Sequence, residues 1–319
     1  MALLIGIDEA GFGPILGPLV VSAVEFAVPD ELLKSDMWHL LSNSVSDSKK
    51  HLSGRLLIAD SKKAYNRSAG LGHLQRTVLA SLACLEKQPE NFDQLLSLLC
   101  PECKDRLANY PWYNGRLDCR FDADKDDIAI AAKTFRADLD ASQMKLLNIS
   151  SFCFDVGYYN EMVGKVKNKS TVLFTALCGL IQKALTRSNG QNLQIVIDRQ
   201  GGRTHYTQPL RRMFSQMNLT VLKENDKLSS YELTGSGKTV RLHFIVKADD
   251  NHLPAALASM TSKFLRELLI QRINAYFASH CADLKPTAGY WKDGCRFIED
   301  LKKFIPHIEY NHQQLIRSR

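Results

Sequence analysis

GIDEAGFGPILGPLVV, residues 6–21, closes an apolar run on two adjacent acids and then turns into a loop holding three glycines and two prolines. A regular strand sends neighbouring side chains to opposite faces. Asp8 and Glu9 can therefore serve one site only where the strand ends and the backbone turns. Gly11 and Gly13 permit such a turn, because glycine accepts backbone angles that other residues avoid. The same letters also describe two acids that merely open a solvated loop, and this fragment alone leaves both readings open.

Composition narrows the field. The chain has 319 residues, enough for one large domain or two ordinary ones. Lys and Arg exceed Asp and Glu by 41 to 34, a net charge of +7 that suits a polyanionic partner such as nucleic acid without requiring one. No basic stretch precedes Leu3–Ile7, and Asp8-Glu9 interrupt that run early, so a signal peptide is not expected. No apolar stretch is long enough to span a bilayer, so no membrane association is expected either. The eight cysteines are scattered, as expected of reduced thiols in a cytoplasmic protein. Cys100 and Cys103, with Cys119 downstream, have metal-like spacing. Structural zinc needs a fourth ligand, though, and no second such pair or nearby His supplies one. They are either zinc ligands or plain buried or loop thiols.

Working outward from the opening stretch, Leu3–Ile7 and Leu19–Val28 read as buried strands. Arg55–Ala59 is a further short strand, running into Asp60-Ser61-Lys62-Lys63. The spacing of Leu74, Val78, Leu79 and Leu82 predicts a helix over Gly72–Glu86. Helical periodicity returns at Asp127–Leu147 and Ser170–Thr186, with a strand at Ser151–Val156 between them. Gln194–Ile197 is a strand ending on Asp198. Leu219–Val246 alternates as a meander with a turn at Gly235-Ser236-Gly237. Asn251–Phe277 is the longest helix, with Pro254 tolerated in its first turn, and Cys295–Phe304 is another. We expect a single domain over 1–319, with an insertion at about 87–123 and a C-terminal helical extension at about 281–319. Tyr110, Trp112 and Tyr113 of the insertion either form its own small core or extend a substrate groove by stacking on bases.

Two lookalikes fall away. Asp122, Asp124 and Asp126 begin like a calcium loop, but Asp127 stands where the glycine belongs, so they read as a charged helix start. Gly235-Ser-Gly-Lys-Thr239 lacks the earlier glycine of a phosphate loop and reads as a hairpin turn. More telling, Asp8, Glu9 and Asp198 end strands, and Asp249 lies between a strand and a long helix. Carboxylates at neighbouring strand ends of an α/β sheet meet at one edge, where such folds place their sites. Asp198 stabilising a turn, or Asp249 or Asp250 capping the helix, are the plainer alternatives. Four acids together repel one another unless cations compensate, and an all-oxygen donor set favours Mg²⁺ or Mn²⁺.

These blocks, in this order, resemble ribonuclease HII, the type 2 ribonuclease H family. DEAGFGPILGPLVV resembles its DEAGRGPLAGPVV signature, ADSKK its DSKK segment and IVID the strand of its third acid. VKADDNHLPAALASMTSK resembles its stretch from a lysine to an aspartate and, ten residues on, a serine. Counting back ten from Ser259 selects Asp249 over Asp250. Asn168-Lys169-Ser170 and Gly289-Tyr290 follow in family order. The likeness covers most of the chain, apart from the insertion and the meander of 219–240.

The resemblance implies an RNase H-like α/β fold, with a five-stranded mixed sheet flanked by helices. It implies a two-metal endonuclease that cuts the RNA strand of RNA–DNA hybrids, or ribonucleotide-containing DNA, leaving 5′-phosphate and 3′-hydroxyl ends. Asp8, Glu9, Asp198 and Asp249 would be catalytic and metal-binding. Gly11, Phe12, Gly13, Lys62, Ser259 and Tyr290 would meet the substrate, Lys62 being preferred to Lys49 of the earlier DSKK. No protein partner is named by the sequence. One departure stands out: Phe12 occupies the place of the family's central arginine and cannot donate a hydrogen bond. Two other classes therefore stay open, an RNase H-like nuclease with a different nucleic-acid substrate and a non-catalytic nucleic-acid-binding relative.

Overall fold

A computed structural model describes residues 1–50, 52–65, 70–114, 120–188 and 190–318. Strand β1 (Ala2–Ala10) pairs antiparallel with β2 (Leu19–Val28), Ala2 opposite Val28 and Ala10 opposite Val20. Both read as unbroken apolar runs because both sheet faces are covered. Leu3, Ile5 and Ile7 point into one core with Leu19, Val21 and Ala23, while Leu4 points into the other with Val20, Val24 and Phe26.

Val45–Ser46 (β3) and Leu56–Leu57 (β4) make a short parallel pair of their own. The remaining strands are β5 (Lys145–Phe154), β6 (Leu193–Asp198), β7 (Asn218–Glu224), β8 (Leu228–Gly235) and β9 (Lys238–Ile245). The main sheet runs β5-β2-β1-β6-β9-β8-β7. It is mixed: β5, β2 and β1 are mutually antiparallel, whereas β1, β6 and β9 are parallel. The expected α/β class holds, but the sheet has seven strands where five were expected. The meander accounts for the difference. Ser236 and Gly237, both at positive φ (51° and 72°), form a two-residue turn that folds β8 back onto β9, and β7 then pairs with β8. Such turns match the natural twist of paired strands. The open edge of β9 is thereby covered.

Helices flank both faces. On one side lie α3 (Val156–Val166) and α4 (Lys169–Arg187), and on the other α1 (Gly72–Cys84), α2 (Lys125–Ala141), α5 (Leu253–His280) and α6 (Trp291–Phe304). Asp124 caps α2 by accepting from the Asp126 and Asp127 amides, so the acid-rich stretch is a helix start, as read from the sequence. The helix ends at Ala141 instead of Leu147. Gln143 takes a positive φ of 55° and β5 begins at Lys145, where polar residues facing outward had hidden the strand.

Gly6 positions the site. A Cβ there would lie 2.1 Å from the Ala255 nitrogen, so only glycine lets the first turn of α5 sit directly on β1. Part of the outer side of α5 is covered by the stretch that holds Tyr110, Trp112 and Tyr113. Tyr110, Trp112 and Tyr113 are buried, and the Trp112 ring centroid lies 5.8 Å from Phe277 and 6.1 Å from Tyr276 of α5. These aromatics are neither a stacking surface nor a separate small core, but part of the main one. Cys100 and Cys103 are buried there, and Cys119 lies outside the described residues. Among the described residues no helix is long and apolar enough to cross a membrane.

Candidate active site

Because β1, β6 and β9 run parallel, their C-terminal ends share one sheet edge. Ile7 pairs with Ile197 and Asp198 with Ile245, which sets Asp8 beside Asp198, the last residue of β6; β1 itself runs on to Ala10, so Asp8 and Glu9 lie within the paired strand and not at its end as expected. After β9 the chain reverses through Lys247, at φ 56°, and the Ala248 amide donates to Asp198 Oδ1 at 2.8 Å. That bond draws the following residue, Asp249, to the same edge. Its neighbour Asp250 instead pairs with Lys63 at 2.6 Å. Asp8 and Asp249 are only 5% and 7% exposed. Ser262 of α5 donates to the Asp8 carbonyl at 3.0 Å, and the Ser259 hydroxyl, which donates to Ser61 at 3.1 Å, favours the charged form of Asp8.

The charges feel one another. Burial, then the charges of Glu9, Asp198 and Asp249, holds the Asp8 carboxyl well above the usual carboxylate range. Burial, with Asp198 next, pushes Glu9 up to about 8. Burial, followed by Asp60 and Asp198, pushes Asp249 up to about 7. Asp198 is raised by burial too, against the Ala248 hydrogen bond that favours its charged form. Lys62 is the cation that faces this group. Its side chain is exposed, and Asp60, Asp249, Asp8 and Asp198 together hold its pKa above the ordinary lysine value.

One participant was missed by the sequence reading. Asp60 caps the turn Ser61–Ala64 by accepting from the Lys62 amide at 2.9 Å, and its charge raises the pKa of Asp249. It stood in the quoted DSKK block. Its signal was there, but it reads equally as an ordinary helix cap.

The glycine loop differs in detail from expectation. Gly11 does take a left-handed φ, of 98°, but Gly13 does not, and the space around Gly13 is open. A Cβ on Gly11 would come within 2.6 Å of Arg266 Nε. Phe12 packs, half-buried, against the α3–α4 side of the core, with the Lys169 ammonium 5.1 Å from its ring centroid. The Ile15 and Leu16 amides both donate to the Gly289 carbonyl, at 2.8 and 3.2 Å, which brings Tyr290 beside the loop. Tyr290 is 52% exposed, and the Arg266 guanidinium carbon lies 5.8 Å from its ring centroid.

The donor set suits a hard divalent cation: carboxylates only, mutually repelling, with no His or Cys among them. Among the described residues no group of three or more His, Cys, Asp or Glu side chains stands close enough together to hold a metal ion.

No family model matches the chain. Over 57 residues it is 42% identical to the ribonuclease HII of Gluconobacter oxydans (strain 621H), a match spanning 18% of this chain and 24% of that relative. The chain is thus similar to ribonuclease HII, over about a quarter of that relative's length. Among solved structures it is similar to the Archaeoglobus fulgidus RNase HII in complex with PCNA, at 16% identity and TM-score 0.48, covering 99% of this chain and 94% of that one. It is also similar to Bst-RNase HIII in complex with Mn²⁺, at 14% identity and TM-score 0.47, covering 99% and 66%. A third is the ribonuclease H2 of Pyrococcus horikoshii OT3, at 12% identity and TM-score 0.45, covering 98% and 92%.

Proposed function

We propose that this protein is a divalent-metal-dependent endonuclease that hydrolyses the RNA strand of RNA–DNA hybrids. The observation that carries the reading is the meeting of Asp8, Asp198 and Asp249 at one sheet edge, each held above the ordinary carboxylate range, with Lys62 facing them. A binding protein gains little from keeping such mutually repulsive groups buried together. An enzyme that loads cations there does.

Asp8, Glu9, Asp198 and Asp249 would hold Mg²⁺ or Mn²⁺. When bound, two such ions supply a nucleophilic water and stabilise charge on the attacked phosphate. Lys62, exposed along its side chain, holds a backbone phosphate in place. The loop of Gly11, Phe12 and Gly13 approaches the sugar, whose 2′-hydroxyl distinguishes RNA from DNA. Tyr290, exposed beside that loop, packs on the neighbouring sugar. Ser259 and Ser262 fix Asp8 from behind. Water adds to phosphorus in line, the bond to the 3′-oxygen breaks, and that oxygen takes up a proton. The ends are therefore 5′-phosphate and 3′-hydroxyl.

The test is cleavage of labelled RNA–DNA hybrid, of DNA carrying one ribonucleotide, and of plain DNA duplex, each with Mg²⁺ and with Mn²⁺. We expect the hybrid to be cut, the single ribonucleotide to be cut more slowly and plain DNA to survive. Plain DNA cut as fast as the hybrid would replace this reading with a nuclease of different substrate. Binding without cleavage under either metal would make the protein a non-catalytic relative.

A further inference from the structure

Beneath the glycine loop lies a buried cation that the cleavage chemistry does not use. Arg317 is 4% exposed, and its guanidinium donates to the carbonyls of Gly11 and Pro14. Its own amide donates to the Ile15 carbonyl at 2.8 Å, and Ile316 bridges Leu16. Asn160 of α3 fastens the segment, donating to the carbonyls of Gln313 and Ile316 at 2.9 and 2.8 Å and accepting from the Ser318 amide at 2.6 Å. The guanidinium carbon rests 5.0 Å from the Tyr159 ring centroid. Among the described residues no carboxylate pairs with Arg317, and its Nε and Nη1 are buried without a partner. Burial and the nearby Arg266 charge bring its pKa down to about 9.

A buried guanidinium with no carboxylate beside it among the described residues is expensive and is a poor way to stabilise a fold. Its contacts suggest another use. In a trans peptide the carbonyl and the following N–H point in opposite directions. A Gly11 carbonyl drawn down onto Arg317 therefore turns the Phe12 N–H up and away from it. That amide has no acceptor among the described residues, and the space around the next residue, Gly13, is open. We propose that Arg317 is a positioning residue, which orients the Phe12 amide as a donor to a ribose hydroxyl of the strand being cut. This rests on the RNA-cleaving reading above.

The role separates activity from stability. Arg317→Met removes a buried charge together with its bonds to the Gly11 and Pro14 carbonyls, two opposing effects, so the thermal midpoint should stay close to that of the wild type. Cleavage of the hybrid should fall through kcat by about ten- to a hundredfold, the scale of a displaced contact at the reacting geometry, with KM little changed. Arg317→Lys, which keeps one donor group, should lie between. The orientation of the Gly11–Phe12 peptide plane, read without substrate from NMR residual dipolar couplings, should change in Arg317→Met while β1 and α5 keep theirs. An unchanged Gly11–Phe12 orientation overturns the proposal whatever the activity does, as does wild-type kcat in both variants. A kcat loss that merely follows a lowered midpoint also overturns it. Wild-type protein that cuts no ribonucleotide substrate at all would sink the functional reading instead, leaving the peptide orientation to decide the positioning.

Discussion

The acid edge and the underside of the glycine loop are neighbours that handle buried charge in opposite ways. At the edge, Asp8, Glu9, Asp198 and Asp249 repel one another, and their raised pKa values record a field that an added cation would relieve. Under the loop, Arg266 and Arg317 are spent on backbone. Arg266 Nη2 donates to the carbonyls of Leu16 and Ala288 at 3.4 and 3.1 Å, with Glu267 3.2 Å from Nη1. Charge answered by carbonyls makes a rigid support, whereas charge left unanswered makes a binding site.

The sharpest way to break the comparison is to remove one charge from the edge. Asp198→Asn keeps the shape and the Ala248 bond but lowers the affinity for metal, so cleavage should fall by roughly a thousandfold or more, about 4 kcal/mol of barrier. Folding and hybrid binding should persist, as circular dichroism and a gel shift would show. Turnover near wild type would take Asp198 out of the mechanism.

Phe12 lies between the two regions, and its replacement sharpens their boundary. A charge-assisted hydrogen bond is worth roughly 1.5–3 kcal/mol, about ten- to a hundredfold in rate. We expect hybrid to be cut well ahead of a single ribonucleotide in DNA, and Phe12→Arg to narrow that gap. Long hybrids depend less on one side chain because they offer many backbone contacts. Equal wild-type rates on the two substrates would contradict this account of the loop.

A smaller effect is expected with pH. The acids of the edge titrate higher in the metal-free fold than in the unfolded chain, so the fold retains protons that the unfolded chain releases. That contribution to stability is complete below about pH 4 and is lost as pH rises through 7 to 8, where Asp249 and Glu9 titrate. The thermal midpoint of metal-free protein should therefore drop between pH 5 and 8.5 by several degrees, at roughly 2–4 °C per kcal/mol. Mg²⁺ should restore more of it at pH 8.5 than at pH 5, because ion and proton compete for the same oxygens. A midpoint that climbs over this range, relative to Asp8→Asn, would mean the acids are not strained.

The smallest effect concerns Asp60. Its charge contributes to the raised pKa of Asp249. Asp60→Asn should move the pH midpoint of metal affinity, measured by titration calorimetry with Mn²⁺, to a lower value with cleavage changed only a fewfold. An unmoved midpoint would leave Asp60 as a helix cap and nothing more.

The acid edge was legible in sequence because strand periodicity and local order bring its members together: Asp8, Glu9 and Asp198 end apolar runs, and Asp249 follows one. The charge under the loop was not. Arg317 reaches Gly11 across 306 positions of sequence, and no local pattern distinguishes it from a basic tail. The meander was read correctly as strands, but their joining the main sheet depends on the edge left open by β9. Nor did periodicity show that Trp112 packs against Phe277, since an aromatic cluster reads alike whether it closes its own core or another's.

The seat of α5 on β1 also bears on the order of events during folding. Ser262 donates to the Asp8 carbonyl across 254 positions, so the first strand must wait for a helix near the far end of the sequence. Closing so long a loop costs entropy that only the completed contact returns, and contacts of this kind form late. The acids of β1 are backed by their serines only when the rest of the molecule is in place. Partly folded chains are therefore predicted to lack the assembled site, so that regained activity in refolding lags behind regained helix.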